Sequence, residues 1–162
     1  MKKLLLIIAL ALVLKATGLL PFQSQDIADL LPLRTLTVDV TEDGIVLNAG
    51  EASGTGPTLD AALENLRDTA TGRAFLATVR QVILSQAALE LLPKLCRWEV
   101  LRPTAQVVLC PEVLPDPEEA ADYLETHDPG LTLQQVQAAY LRGEPVDLPR
   151  LHTEGGLLLA EE

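Results

Sequence analysis

The chain has 162 residues, room for one domain of ordinary size plus a targeting segment. Hydrophobic residues make up 48% of it and aromatics only 3%, so aliphatic side chains must build the core, which argues against a ligand cage of aromatic rings. The net charge is −11, and without residues 1–20, whose only charges are Lys2, Lys3 and Lys15, nine basic residues face 23 acidic ones, a net −14. So acidic a body repels phosphates, which argues against nucleic acid or an anionic membrane surface as its main partner.

The chain opens MKKLLLIIALALVLKATG, two lysines ahead of eleven apolar residues, 4–14. A charged leader before an apolar run of this length predicts a secretory signal, with Ala16 and Gly18 as the small residues of a cleavage site. The uninterrupted run falls short of the roughly 20 residues that span a bilayer. Counted through Lys15 to Phe22 it nearly reaches that length, so an uncleaved anchor is the alternative, with Lys15 at an interface. Either way the expected location is extracytoplasmic: membrane-anchored through residues 4–20, or secreted after cleavage.

Residues 33–40, LRTLTVDV, alternate Leu36, Val38 and Val40 with Thr35, Thr37 and Asp39, the pattern of a half-buried strand. TEDG at 41–44 supplies a turn and residues 45–51 a second strand, hence a β-hairpin. SGTGP, 53–57, lacks the lysine and full glycine spacing of a phosphate cradle and reads as a flexible connection. Leu59, Ala62, Leu63, Leu66 and Ala70 then recur at helical spacing behind Thr58 as N-cap.

Residues 76–84, LATVRQVIL, are rich in β-branched side chains and predict a strand. Ser85 can cap the next helical stretch, which Pro93 divides into two pieces, 86–92 and 94–101. TAQVVLC, 104–110, predicts a buried strand. At 116–125, Asp116 caps a helix, Pro117 takes its first position and Glu119 is placed to reach back to the cap. HDPG ends that helix, Thr132 with Gln135 repeats the capping logic for the next, and Gly143 stops it. Residues 151–162 are expected to form an acidic, loosely attached tail. Strands alternating with helices predict an α/β (α+β) fold, a small mixed sheet of about four strands covered by helices and preceded by the signal or anchor.

No catalytic constellation assembles. The two histidines, His127 beside Asp128 and His152 in the tail, form no ligand-spaced pair with each other or with the cysteines, so neither a metal nor a triad base is expected. Cys96 and Cys110 are fourteen apart. Outside the cytoplasm chemistry permits a disulfide between them, provided their Cα atoms come within about 7 Å; otherwise they are buried thiols packed as small hydrophobes. Glu118 with Glu119, and Glu161 with Glu162, invite a glycosidase reading, but a helix start and a terminus offer nothing to raise a carboxyl pKa. The expectation is a non-enzymatic domain with no catalytic, cofactor-binding or metal-binding residues.

Taken in order, FQSQDIADLLPLRTLTVDVTEDG (22–44), TLDAALENL (58–66) directly after the glycine-rich segment, TVRQVILS (78–85), the apolar run ending at Cys110, and residues 133–149 resemble the N-terminal domain of the spore germination Ger(x)C family, the lipoprotein subunit of germinant receptors. The resemblance covers residues 22 to about 150, and order and spacing carry it more than any single motif. It implies protein-protein contacts with membrane-embedded receptor subunits in spore germination, and no catalytic role. Two departures stand out. The family's signal ends in a lipidated cysteine, whereas residues 17–20 read TGLL, so retention at a membrane would fall to the hydrophobic segment. The chain also stops where the family's second domain begins. The alternative is a general secreted or tethered binding module unrelated to germination.

Overall fold

The computed structural model describes residues 30–160. The expected signal or anchor, residues 1–20, lies outside them, as do 21–29 and the final two glutamates. Along the chain come β1 (Leu30–Pro32), β2 (Thr35–Thr41), β3 (Gly44–Ala49), β4 (Ala52–Gly56), α1 (Leu59–Thr69), β5 (Arg73–Phe75) and a 3-10 turn, Leu76–Thr78. Then follow β6 (Gln81–Ser85), a 3-10 segment Ala87–Leu91 running into the short helix α2 (Leu92–Leu95), and β7 (Gln106–Cys110). Helices α3 (Pro117–Thr126) and α4 (Leu133–Arg142) precede β8 (Arg150–His152) and β9 (Leu158–Ala160).

The fold is mixed α/β, as the alternating pattern predicts. Its main sheet has seven strands rather than about four, in the order β4-β3-β2-β6-β7-β8-β9, and β1 pairs with β5 in a separate parallel ladder. Within the seven, β2, β6, β7 and β8 run parallel, while β3, β4 and β9 are antiparallel to their neighbours.

Alternation along the central strands distributes two cores. Leu36, Val38, Val107 and Leu109 face the larger one with Ala62, Leu63 and Leu66 of α1, Leu92 and Leu95 of α2, and Leu133 and Val136 of α4. On the opposite face, Ile83, Val108 and Cys110 meet Ala120 and Leu124 of α3 and Leu151 of β8. Both faces of the parallel block are thus covered, as sheets wound by crossover helices require. This corrects the half-buried reading of β2, since Thr35 and Thr37 lie on the face that α3 covers and are only 2% and 1% exposed. Burial is tolerable because the hydroxyls are partnered: Thr35 Oγ1 donates to Gln81 Oε1 at 3.2 Å, and Thr37 Oγ1 to the Asn48 carbonyl at 3.4 Å.

The capping side chains behave as their residue types dictate, except that among the described residues the Glu119 side chain makes no bond back to Asp116. Thr58 Oγ1 accepts from Ala61 N, the Asp116 carboxylate accepts from Glu118 N and Glu119 N, and Thr132 with Gln135 forms a reciprocal capping box. Gly143 stops α4 at φ 70°, in the left-handed region.

Three expectations fail locally. SGTGP is not a loose connection but most of β4. An alanine Cβ at Gly54 would lie 2.8 Å from Leu66 Cα and closer still to Ala62 O and Leu66 N, so only glycine lets α1 ride on this strand. Thr69 Oγ1 donates to the Ser53 carbonyl at 2.5 Å and accepts from Ser53 N at 3.2 Å, while Asn65 Nδ2 donates to the Thr55 carbonyl. The helix thereby satisfies the outward edge of β4. Second, residues 76–78 turn instead of extending, and β6 begins only at Gln81. Thr78 holds the turn, its Oγ1 within 2.9 Å of Leu33 N and 3.0 Å of Leu33 O. The second helical piece likewise shortens to Leu92–Leu95, with turns at Trp98 and Leu101 beyond it.

Third, residues 151–160 are no loosely attached tail. Leu151 is fully buried in β8, which pairs with β7, and β9 folds back along it as the edge strand. The segment is short, but its apolar residue reaches the α3-side core, where burial of one leucine contributes on the order of 2 kcal/mol.

Candidate functional site

The carboxyl ends of the parallel strands, where open α/β sheets place their ligand crevices, bring together groups from opposite ends of the sequence. Cys110 ends β7, Glu112 comes two residues later, and His152 and Thr153 leave β8 beside them. The Glu112 carboxylate accepts from Thr153 N at 2.7 Å, Thr153 Oγ1 at 3.1 Å and Glu154 N at 3.1 Å, and its other oxygen lies 2.8 Å from His152 Nδ1. The His152 contact, followed by the Thr153 amide, holds the Glu112 carboxyl down to about 2.

A cysteine, a histidine and a carboxylate in one place look like the parts of a nucleophilic site. The thiol does not fit that role. Burial pushes the Cys110 pKa up, and its Sγ points to the Val113 carbonyl 3.5 Å away, so it is held as the neutral thiol. Both oxygens of Glu112 are committed to the chain leaving β8. What the cluster does is fasten the β8–β9 hairpin to the end of β7.

Cys96 is also a free thiol, pushed up to about 11 by its desolvation. It packs against the larger core whereas Cys110 belongs to the α3-side core, so the sheet itself stands between the two cysteines. The disulfide allowed by their spacing is therefore not formed; both are the buried or half-buried thiols of the other reading. His127 caps the end of α3, its ring stacked on Tyr123 at a centroid distance of 4.1 Å. It approaches neither cysteine's cluster as a ligand, and among the described residues no group of three or more His, Cys, Asp or Glu could hold a metal ion.

At the opposite ends of the parallel strands lies a charged rim. Arg34, just before β2, reaches Glu118 Oε2 at 2.5 Å and Asp122 Oδ1 at 2.7 Å, and Glu125 is 3.8 Å away. Hydrogen bonds from the arginine to these carboxylates, Glu118 first, raise its pKa further. Glu125 also faces Arg80, the residue before β6, at 3.6 Å. Glu118 is thus an ion-pair partner of Arg34.

A third feature is apolar. Pro93 and Cys96 at α2, Arg97, and Gln137, Tyr140 and Leu141 on α4 wall an open groove of about 350 Å3. Leu141 is 83% exposed and Tyr140 41%, the largest unburied hydrophobic surface on any helix among the described residues.

None of these groupings is visible as a motif. Glu112 and His152 are 40 residues apart, Arg34 and Glu118 84 apart. The one available signal was the spacing of Glu118, Asp122 and Glu125, which aligns three carboxylates on one side of α3. Comparison of the chain with protein-family models, with curated proteins and with solved structures finds no match.

Proposed function

We propose that the chain is a non-enzymatic extracytoplasmic domain, held at the membrane by residues 4–20, that acts through protein-protein contacts with membrane-embedded receptor subunits in spore germination. Two lines support this reading. The motifs that resemble the germinant receptor subunit run in family order from residue 22 to about 150, and the Glu112–His152 and Arg34–Glu118 clusters at the two strand ends serve structural contacts. The observation that carries it is the groove between α2 and α4. A concave apolar surface rimmed by Arg97 and Gln137, with Tyr140 and Leu141 left to solvent, has the make-up of an interface core with a polar rim.

The test is a photoreactive side chain at Leu141 in the full chain, expressed in sporulating cells, with subsequent fractionation. Crosslinks to multispanning membrane proteins are expected, in the membrane fraction, with Met1 retained. Crosslinks only to soluble proteins would replace this reading with the general exported module, and labelling no stronger than at an exposed acidic position such as Glu64 would remove the groove from the account.

A further inference from the structure

The loops entering β6 and β7 lie side by side because Gln81 pairs with Gln106 in parallel register. They carry Arg80 and Arg102. With Thr104 and Gln106, and with Glu125 and Asp128 from the α3 end, these arginines line an open polar cavity of about 240 Å3. Most of its wall is already committed. Gln106 Nε2 donates to Asp128 Oδ1 at 2.5 Å, Asp128 accepts also from Gly130 N at 2.7 Å, and Glu125 lies between Arg34 and Arg80.

Arg102 is the exception. Its side chain has no hydrogen bond or ion pair among the described residues, and its Nε is buried without an acceptor. A buried donor left unsatisfied is costly, and most buried polar atoms in folded proteins avoid that cost. Rotation of the side chain toward an acceptor in the cavity would relieve it. Arg80, 60% exposed and 3.6 Å from the Glu125 carboxylate, can turn to the same acceptor.

We propose that this cavity binds a small molecule through a single carboxylate, held between Arg102 and Arg80. The planar guanidinium fork matches a carboxylate. Glu125 and Asp128 in the wall oppose a dianion such as phosphate, so a singly charged group is preferred, and Thr104 and Gln106 offer hydrogen bonds to a polar remainder. The site is separate from the apolar groove, and its existence does not depend on the membrane partner proposed above.

The experiment titrates the full chain, kept in solution with mild detergent, with acetate, propionate and butyrate, and in parallel with inorganic phosphate, at constant ionic strength. Arginine Nε–H resonances are monitored by NMR. A saturable shift of the Arg102 resonance is expected with the carboxylates, with affinity reduced roughly ten-fold or more in Arg102→Gln and in Arg80→Gln, as befits loss of a charge-assisted hydrogen bond. Arg80→Gln lies at the exposed rim, so it tests the site even if Arg102→Gln perturbs folding. No saturable shift, unchanged affinity in Arg80→Gln, or phosphate binding as tightly as the carboxylates would overturn the proposal.

Discussion

Replacing Gly54 with alanine should destabilise the domain by about 3–5 kcal/mol. The added Cβ meets backbone and not a side chain that could swing aside: Leu66 Cα at 2.8 Å, with Ala62 O and Leu66 N nearer. Ordinary carbon contacts are about 3.5–4.0 Å, so α1 must retreat by roughly 1 Å. Overpacking of that kind costs about 1–3 kcal/mol. The retreat also stretches the Asn65 bond to Thr55 and the Thr69 bonds to Ser53, worth about 1 kcal/mol each. Domains of this size are stable by about 5–15 kcal/mol, and with a urea slope of about 1–3 kcal/mol per molar the midpoint should fall by about 1–5 M. Trp98, the chain's sole tryptophan, reports the change directly, because its Nε1 donates to Asp60 on α1 at 2.9 Å. Ser53→Ala, on the exposed side of the same strand, is the control and should move the midpoint little. A Gly54→Ala midpoint indistinguishable from that control would refute the close approach of α1 to β4.

Leu151→Ala should cost about 2–5 kcal/mol, the range for a fully buried leucine; urea unfolding within about 0.5 kcal/mol of the parent would return residues 151–160 to the status of a tail. Because the folded pKa of Glu112 is depressed to about 2 from 4.5, its contribution to stability is fully present above about 4.5 and is lost as pH falls from there through about 2. The amide resonances of Thr153 and Glu154 should therefore move together with a midpoint near 2 in the parent and show no such titration in Glu112→Gln. Thiol labelling of the denatured, unreduced chain should modify both Cys96 and Cys110, whereas in the native protein Cys96, held up to about 11, should react far more slowly at about pH 8 than a free thiol. No labelled site after denaturation, with both appearing on reduction, would mean that a bridge forms after all.

The elements whose instructions are local were legible. Thr58, Asp116 with Pro117, Thr132 with Gln135, and Gly143 each mark a helix boundary through a side chain and the backbone within four residues of it. The valine and leucine runs of β6 and β7 declared themselves by composition. What stayed hidden depends on a distant partner. β4 reads as a loop because its two glycines are required by a helix that only packing brings against it. β1, β5, β8 and β9 are three residues each, too short for period-two alternation to register, and each exists because a neighbouring strand offers its edge. Thr35 and Thr37 looked solvated because nothing along β2 announces α3, more than 75 residues later. The Glu112 latch and the Arg102 cavity were invisible for the same reason, since each gathers single ordinary residues from separate loops.

The clothing of β4 by Asn65 and Thr69 also limits how copies of this protein can combine. A sheet joins another through a free edge, and it propagates into a ladder only if it has two. With one margin of the seven-stranded sheet occupied by its own helix, the edge that this sheet leaves among the described residues is β9. Two side chains on α1 thus act as a stopper at the β4 margin of a sheet whose aliphatic, Val- and Leu-rich strands would otherwise favour edge-to-edge stacking there.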